Sequence, residues 1–157
     1  MDELPGSFGT SASLALRLGQ TVFSIASLLF MCLDIQFYSY TSFSFLVIVM
    51  GFVSPWSMIL AMLDVYLIFF KSPYNYHQQG RRSLIFIVAA DWILCLLSLA
   101  AAASTASVID FLIVSKSSFC GEGKLCSRYQ LSAAMSFLSW FLSLGSSLFN
   151  LWLLPSL

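Results

Sequence analysis

The sequence predicts an all-α membrane protein, a bundle of four transmembrane helices with its N- and C-termini in the cytosol. Three observations carry that prediction. Of 157 residues, 59% are hydrophobic and only 9% are charged, whereas soluble domains carry roughly 25% charged residues. The charges leave long uncharged runs: 16 residues between Arg17 and Asp34, 29 between Asp34 and Asp64, 18 between Asp91 and Asp110, and 29 after Arg128. A bilayer core of about 30 Å needs about 20 mostly apolar helical residues, so the runs divide the chain into four spans. Too few charges remain to solvate a globular surface, which excludes a soluble enzyme, and the apolar content excludes a disordered chain. The net charge of zero offers no basic footprint for nucleic acid.

The single domain covers residues 1–157, with spans at about 14–33, 43–70, 84–108 and 131–154. Helices are expected rather than strands because the apolar runs are long and continuous. Barrel strands would be about 10 residues of alternating polarity, and backbone groups in lipid must pair within their own segment. The first span follows Asp2 and Glu3 rather than a positive leader, so it reads as an uncleaved span and not a secretory signal. The second is long enough to tilt or extend into the interface, and Pro55 inside it removes a helix hydrogen bond, which predicts a kink near 51–55. The third continues through the Ala/Ser-rich stretch 99–106 towards Val114. The fourth is uncharged throughout.

Four spans place both termini on one side, together with the loop 71–83. That side holds Arg17, Lys71, Arg81 and Arg82, against Lys116, Lys124 and Arg128 in the outer loops 34–42 and 109–130. The positive-inside rule therefore makes the termini cytosolic. Cys120 and Cys126 flank the turn-forming Gly121 and Gly123 in the second outer loop. A disulfide between them fits an oxidising, extracellular side. The alternatives are two free thiols or half of a metal site. Phe37, Tyr38, Tyr40, Tyr74, Tyr76 and Trp152 read as interfacial aromatics.

At about 100° per residue, every span carries one small or polar stripe. The stripes are Arg17, Gln20, Thr21, Ser24, Ser27; Ser54, Ser57, Ala61, Asp64; Asp91, Cys95, Ser98, Ala102, Thr105; and Ser132, Ser136, Ser139, Ser143, Ser147, Asn150. Helices in lipid associate through close packing of small residues and hydrogen bonds, so the stripes should face inward and the large apolar residues outward. Arg17, Asp64 and Asp91 fall inside spans, where a charge costs at least about 2.5–3.5 kcal/mol. On this topology all three reach the same leaflet at similar depth. The planar guanidinium suits pairing with a carboxylate, which predicts a buried ion pair of Arg17 with Asp91. Asp64 has three open readings, namely sharing Arg17, pairing with Lys71 or being protonated, and snorkelling of Arg17 to headgroups is the competing reading for the pair. No catalytic constellation, cofactor loop or metal-ligand spacing is visible, and His77 stands alone in a loop.

With the spans placed, the chain resembles the plant Casparian strip membrane domain protein-like family, which is distantly related to the MARVEL tetraspans. The resemblance is carried by Leu16-Arg17-Leu18-Gly19-Gln20 opening span one, Asp91-Trp92 in span three, and Cys126-Ser127-Arg128-Tyr129-Gln130-Leu131-Ser132 leading into span four. Leu4-Pro5-Gly6-Ser7-Phe8-Gly9-Thr10 and Leu63-Asp64-Val65-Tyr66 look like its fifth subgroup. The resemblance implies a non-enzymatic, multi-pass plasma-membrane scaffold without cofactor. Its implied partners are copies of itself, as a homodimer or higher homo-oligomer, related tetraspans as hetero-oligomers, and membrane lipid. The first outer loop, DIQFYSYTS at 34–42, lacks the extended signature of the strip-forming members. The competing class is a small transporter or channel using Asp64 and Asp91, since intramembrane acids mark ion pathways.

The topology predicts a labelling pattern. An impermeant thiol reagent applied to intact cells should modify Cys120 and Cys126 only after reduction. Modification without reductant removes the disulfide, and no modification after reduction places the loop inside.

Overall fold

The computed structural model describes residues 11–33, 39–70, 80–115 and 124–153. Four helices follow one another: α1 (Ser11–Cys32), α2 (Thr41–Phe69), α3 (Gly80–Val114) and α4 (Lys124–Leu153). All four are long and apolar enough to cross a membrane. The chain is an all-α, multi-pass membrane protein.

The helices are longer than the expected spans at several ends. α3 begins at Gly80 and continues to Val114, and α4 begins at Lys124. Much of the expected outer loop 109–130 is therefore helical. Its apolar residues Ile109 and Leu112 and its Tyr129 are buried, which explains why the helices extend through Asp110 and Arg128. At about 1.5 Å per residue, helices of 29, 35 and 30 residues for α2, α3 and α4 outrun a bilayer core of about 30 Å and must tilt or project into the interface. α2 stays helical through Pro55, where the sequence predicts a kink.

The helices form a closed ring in which α1 packs on α4 and α2, and α3 packs on α4 and α2. The α1–α4 seam is the most extensive and α2–α3 the least. Every member of the four stripes is buried apart from the half-buried Ser54. Leu18, Val22, Leu29, Phe52, Phe86 and Phe141 are exposed on the opposite faces, where hydrocarbon is a suitable solvent.

Small side chains let α1 and α4 approach closely. Ser27 and Ser132 exchange bonds: Ser27 Oγ donates to the Ser132 carbonyl at 3.1 Å, and Ser132 Oγ donates to the Ser27 carbonyl at 2.8 Å. Further along, Ser139 Oγ donates to the Gln20 carbonyl at 3.3 Å. Such bonds across helices are worth about 1 kcal/mol each in a membrane.

The interior is divided along its length. One end holds the α1–α2 and α3–α4 connections. It is filled by an apolar cluster including Met31, Phe43, Leu46, Met50, Ile109, Leu112 and Tyr129. Phe43 stacks on Tyr129 with ring centroids 4.8 Å apart. The other, termed here the terminus end, holds the start of α1, the end of α2, the start of α3 and the end of α4. It is polar.

Of the glycines Gly19, Gly51 and Gly145, only Gly19 lies close against a neighbouring helix. A Cβ there would lie 2.9 Å from Leu142 Cδ1, whereas one at Gly51 or Gly145 would meet nothing within 4 Å. Gly19→Ile should therefore overpack the seam and destabilise the protein by about 1–3 kcal/mol. Gly51→Ala and Gly145→Ala should be neutral or stabilising by up to about 1 kcal/mol through helix propensity. Thermal unfolding of the purified variants in one detergent checks the contrast.

Candidate functional site

The terminus end of the bundle buries three charged side chains. Arg17 is 1% exposed, Asp64 0% and Asp91 5%. Each comes from a different helix, and each lies on the buried face of that helix. Arg17 Nε lies 3.2 Å from Asp64 Oδ2, and Arg17 Nη2 lies 3.5 Å from Asp91 Oδ2. The guanidinium thus bridges both carboxylates, with Asp64 the nearer. Of the readings open for Asp64, sharing Arg17 with Asp91 is the one the structure shows, for a simple reason. The Nε and Nη groups of one planar fork point in different directions, and α2 and α3 flank α1 at the same depth.

Neutral donors complete the surroundings. Ser13 Oγ donates to Asp64 Oδ2 at 2.9 Å. The Trp56 indole donates from Nε1 to Asp91 Oδ1 at 2.8 Å. Behind Arg17, Thr21 Oγ1 donates to the Arg17 carbonyl at 2.8 Å and stands 2.7 Å from Ser57 Oγ. Ser13 and Trp56 are contributors that the sequence pattern does not single out. Trp56 is about 100° off the polar stripe of α2, so periodicity hides it. The available signal is chemical, since an indole N–H taken from water needs a partner.

Charges buried in this way cost several kcal/mol each in desolvation, repaid only by close pairing and further hydrogen bonds. The arrangement suits a structural lock. It joins α1 to α2 and α3 at fixed depth, while the hydroxyl bonds join α1 to α4. Among the described residues, no group of three or more His, Cys, Asp or Glu side chains converges as a metal site would. Cys32 and Cys95 are free thiols, and Cys126 is in a disulfide. Cys120 lies outside the described residues, as do Lys71 and His77.

The charge stoichiometry ranks the variants. Arg17→Gln leaves two carboxylates facing each other, whereas Asp64→Asn or Asp91→Asn leaves one guanidinium with one carboxylate. Arg17→Gln should cost about 3–5 kcal/mol, a large share of a total stability of about 5–15 kcal/mol. Either single Asp→Asn should cost less. The triple neutral variant should lose less than the three singles summed, because no orphan charge remains. Surface abundance and thermal unfolding of tagged variants measure the order. Additive losses, or an Arg17→Gln no worse than Asp64→Asn, would show that the three do not act as one unit.

The chain is similar along its length to plant CASP-like proteins. The profile of the Casparian strip membrane protein domain matches residues 6–142. The chain is 50% identical to CASP-like protein 5C3 of Arabidopsis thaliana, over 100% of this chain and 99% of that protein. It is 52% identical to CASP-like protein 5C1 of Oryza sativa subsp. japonica, over 96% and 94% respectively. Against CASP-like protein 5B1 of Ginkgo biloba the identity is 43%, over 99% and 84%. No solved structure matches the chain. A bundle that buries Arg17, Asp64 and Asp91 together, matched along its length by these relatives, therefore belongs to the CASP-like family of Casparian strip membrane domain proteins, in its fifth subgroup.

Proposed function

We propose that the protein is a non-enzymatic scaffold of the plasma membrane, with cytosolic termini, that self-associates and associates with related tetraspans to organise membrane domains. The observation that carries this reading is the division of surfaces. Most interior polar groups are committed to one another between helices, and the outer wall is a continuous array of large apolar side chains. Helices in lipid gain nothing hydrophobic by meeting, so such a wall associates through shape and van der Waals packing. The bundle then acts as a rigid core, and its function lies in what its wall and loops touch.

Family membership supports the reading. It also makes the Casparian strip type of platform the obvious comparison, with the short first loop 34–42 as the point of departure. The transporter reading is disfavoured by Arg17, which stands within 3.5 Å of both acids that would have to gate ions.

Self-association predicts two or more photobleaching steps per spot for the fluorescently tagged full-length chain in native membranes. Single steps at both low and high density overturn the scaffold reading. In liposomes the protein should produce no flux above empty vesicles. A flux abolished by Asp64→Asn would transfer the function to transport.

A further inference from the structure

The polar side chains of α4 at the terminus end differ from those of the other helices. Ser147 is 0% exposed and Asn150 2%. Among the described residues, neither Ser147 Oγ nor Oδ1 or Nδ2 of Asn150 has a hydrogen-bond partner. Asp91 Oδ2 also lacks one, apart from its 3.5 Å ion pair with Arg17.

Two registers bring Ser147 level with the charge cluster. On the α3–α4 seam, the Cys95 thiol contacts the side chains of Ser143 and Trp140. The helices are antiparallel, so one turn towards the terminus end leads from Cys95 to Asp91 and from Ser143 to Ser147. On the α1–α4 seam, the Ser27–Ser132 and Ser139–Gln20 bonds set a register that places Ser147 level with the first turn of α1. There Ser13 holds Asp64. Asn150 follows on the same inward stripe. The unpartnered side chains of Ser147 and Asn150 on α4 therefore lie at the level of a cluster of two carboxylates and one guanidinium, which together carry one excess negative charge when both acids are ionised.

We propose that this place binds one small monovalent metal cation, sodium or potassium, between Asp91, Ser147 and Asn150. A carboxylate, a hydroxyl and an amide carbonyl are hard oxygen donors of the kind that such cations take. Rotation of the Asn150 amide decides which of its atoms faces the ion, and the oxygen can do so. A single positive charge neutralises the cluster, whereas a divalent ion would leave an unpaired positive charge in a low-dielectric interior. The site goes beyond the scaffold reading and does not depend on it: the ion is a resident part of the lock.

The test uses the purified full-length protein in lipid nanodiscs, melted in sodium, potassium or N-methylglucamine chloride at equal ionic strength. Sodium or potassium should raise the Tm saturably, by about 3–5 °C at tenfold the Kd. Asp91→Asn, which retains an Oδ1 acceptor for Trp56, should abolish the difference. So should the double change Ser147→Ala with Asn150→Leu, without lowering the Tm in N-methylglucamine. Identical wild-type melting in the three salts overturns the proposal, as does a salt effect that persists in both variants. Melting that follows pH but not salt also overturns it, because a proton would then neutralise the cluster. Where a variant does not fold, equilibrium binding of radioactive sodium and potassium to the wild type decides: one ion per chain supports the site, and none overturns it.

Discussion

A guanidinium group inside a bilayer is the constraint on which the rest of this structure depends. Arg17 is held at 1% exposure between Asp64 and Asp91, so it cannot reach headgroups as a snorkelling arginine would. Its charge is tolerable only where two other helices bring carboxylates to the same depth. That requirement sets the relative height of α1, α2 and α3. The neighbouring contacts follow from it. Ser13 caps one carboxylate, Trp56 caps the other, and Thr21 and Ser57 meet one turn deeper along the same seam.

The opposite end of the bundle solves a different problem. Water is absent on both sides of a membrane helix, so an apolar interior adds no hydrophobic driving force, only packing. The protein fills that end with interlocking side chains such as Phe43, Met31 and Tyr129. Polar contacts are fewer there, as in the bond from Thr105 to the Ser42 carbonyl at 3.3 Å, near one end of the α2–α3 seam. Trp56 with Asp91 ties the same seam at the other end. Between those two ties α2 and α3 have the least extensive contact in the ring.

α4 contributes no charge to the lock, yet it is the helix on which α1 packs most extensively. Its serine stripe serves two purposes. Towards the apolar end, Ser132 and Ser139 bind the backbone of α1. Towards the terminus end, Ser143 meets Cys95 of α3, and Ser147 and Asn150 are buried. A bundle made in this way can present an unchanging outer wall, because the polar contacts that would otherwise compete for partners in lipid are enclosed.

Much of this was legible in the sequence, because a bilayer imposes simple rules. Uncharged runs of sufficient length had to be helices. A polar stripe on each helix had to turn inward, and Arg17 had to find an acid. What one-dimensional spacing does not contain is the angular position of each helix in the ring. Periodicity assigns Asp64 and Asp91 to inward faces equally well, and only the packing of α2 and α3 on either side of α1 decided that Arg17 takes both. Trp56 enters the site from off its stripe for the same reason, since the indole spans a seam whose width is a tertiary property. The start of α4 ahead of Arg128 was likewise hidden, whereas the continuation of α3 past Asp110 towards Val114 was expected. A charge reads as the end of a span in sequence, whereas in the fold the neighbouring Tyr129 had a core to fill and the helix took it in.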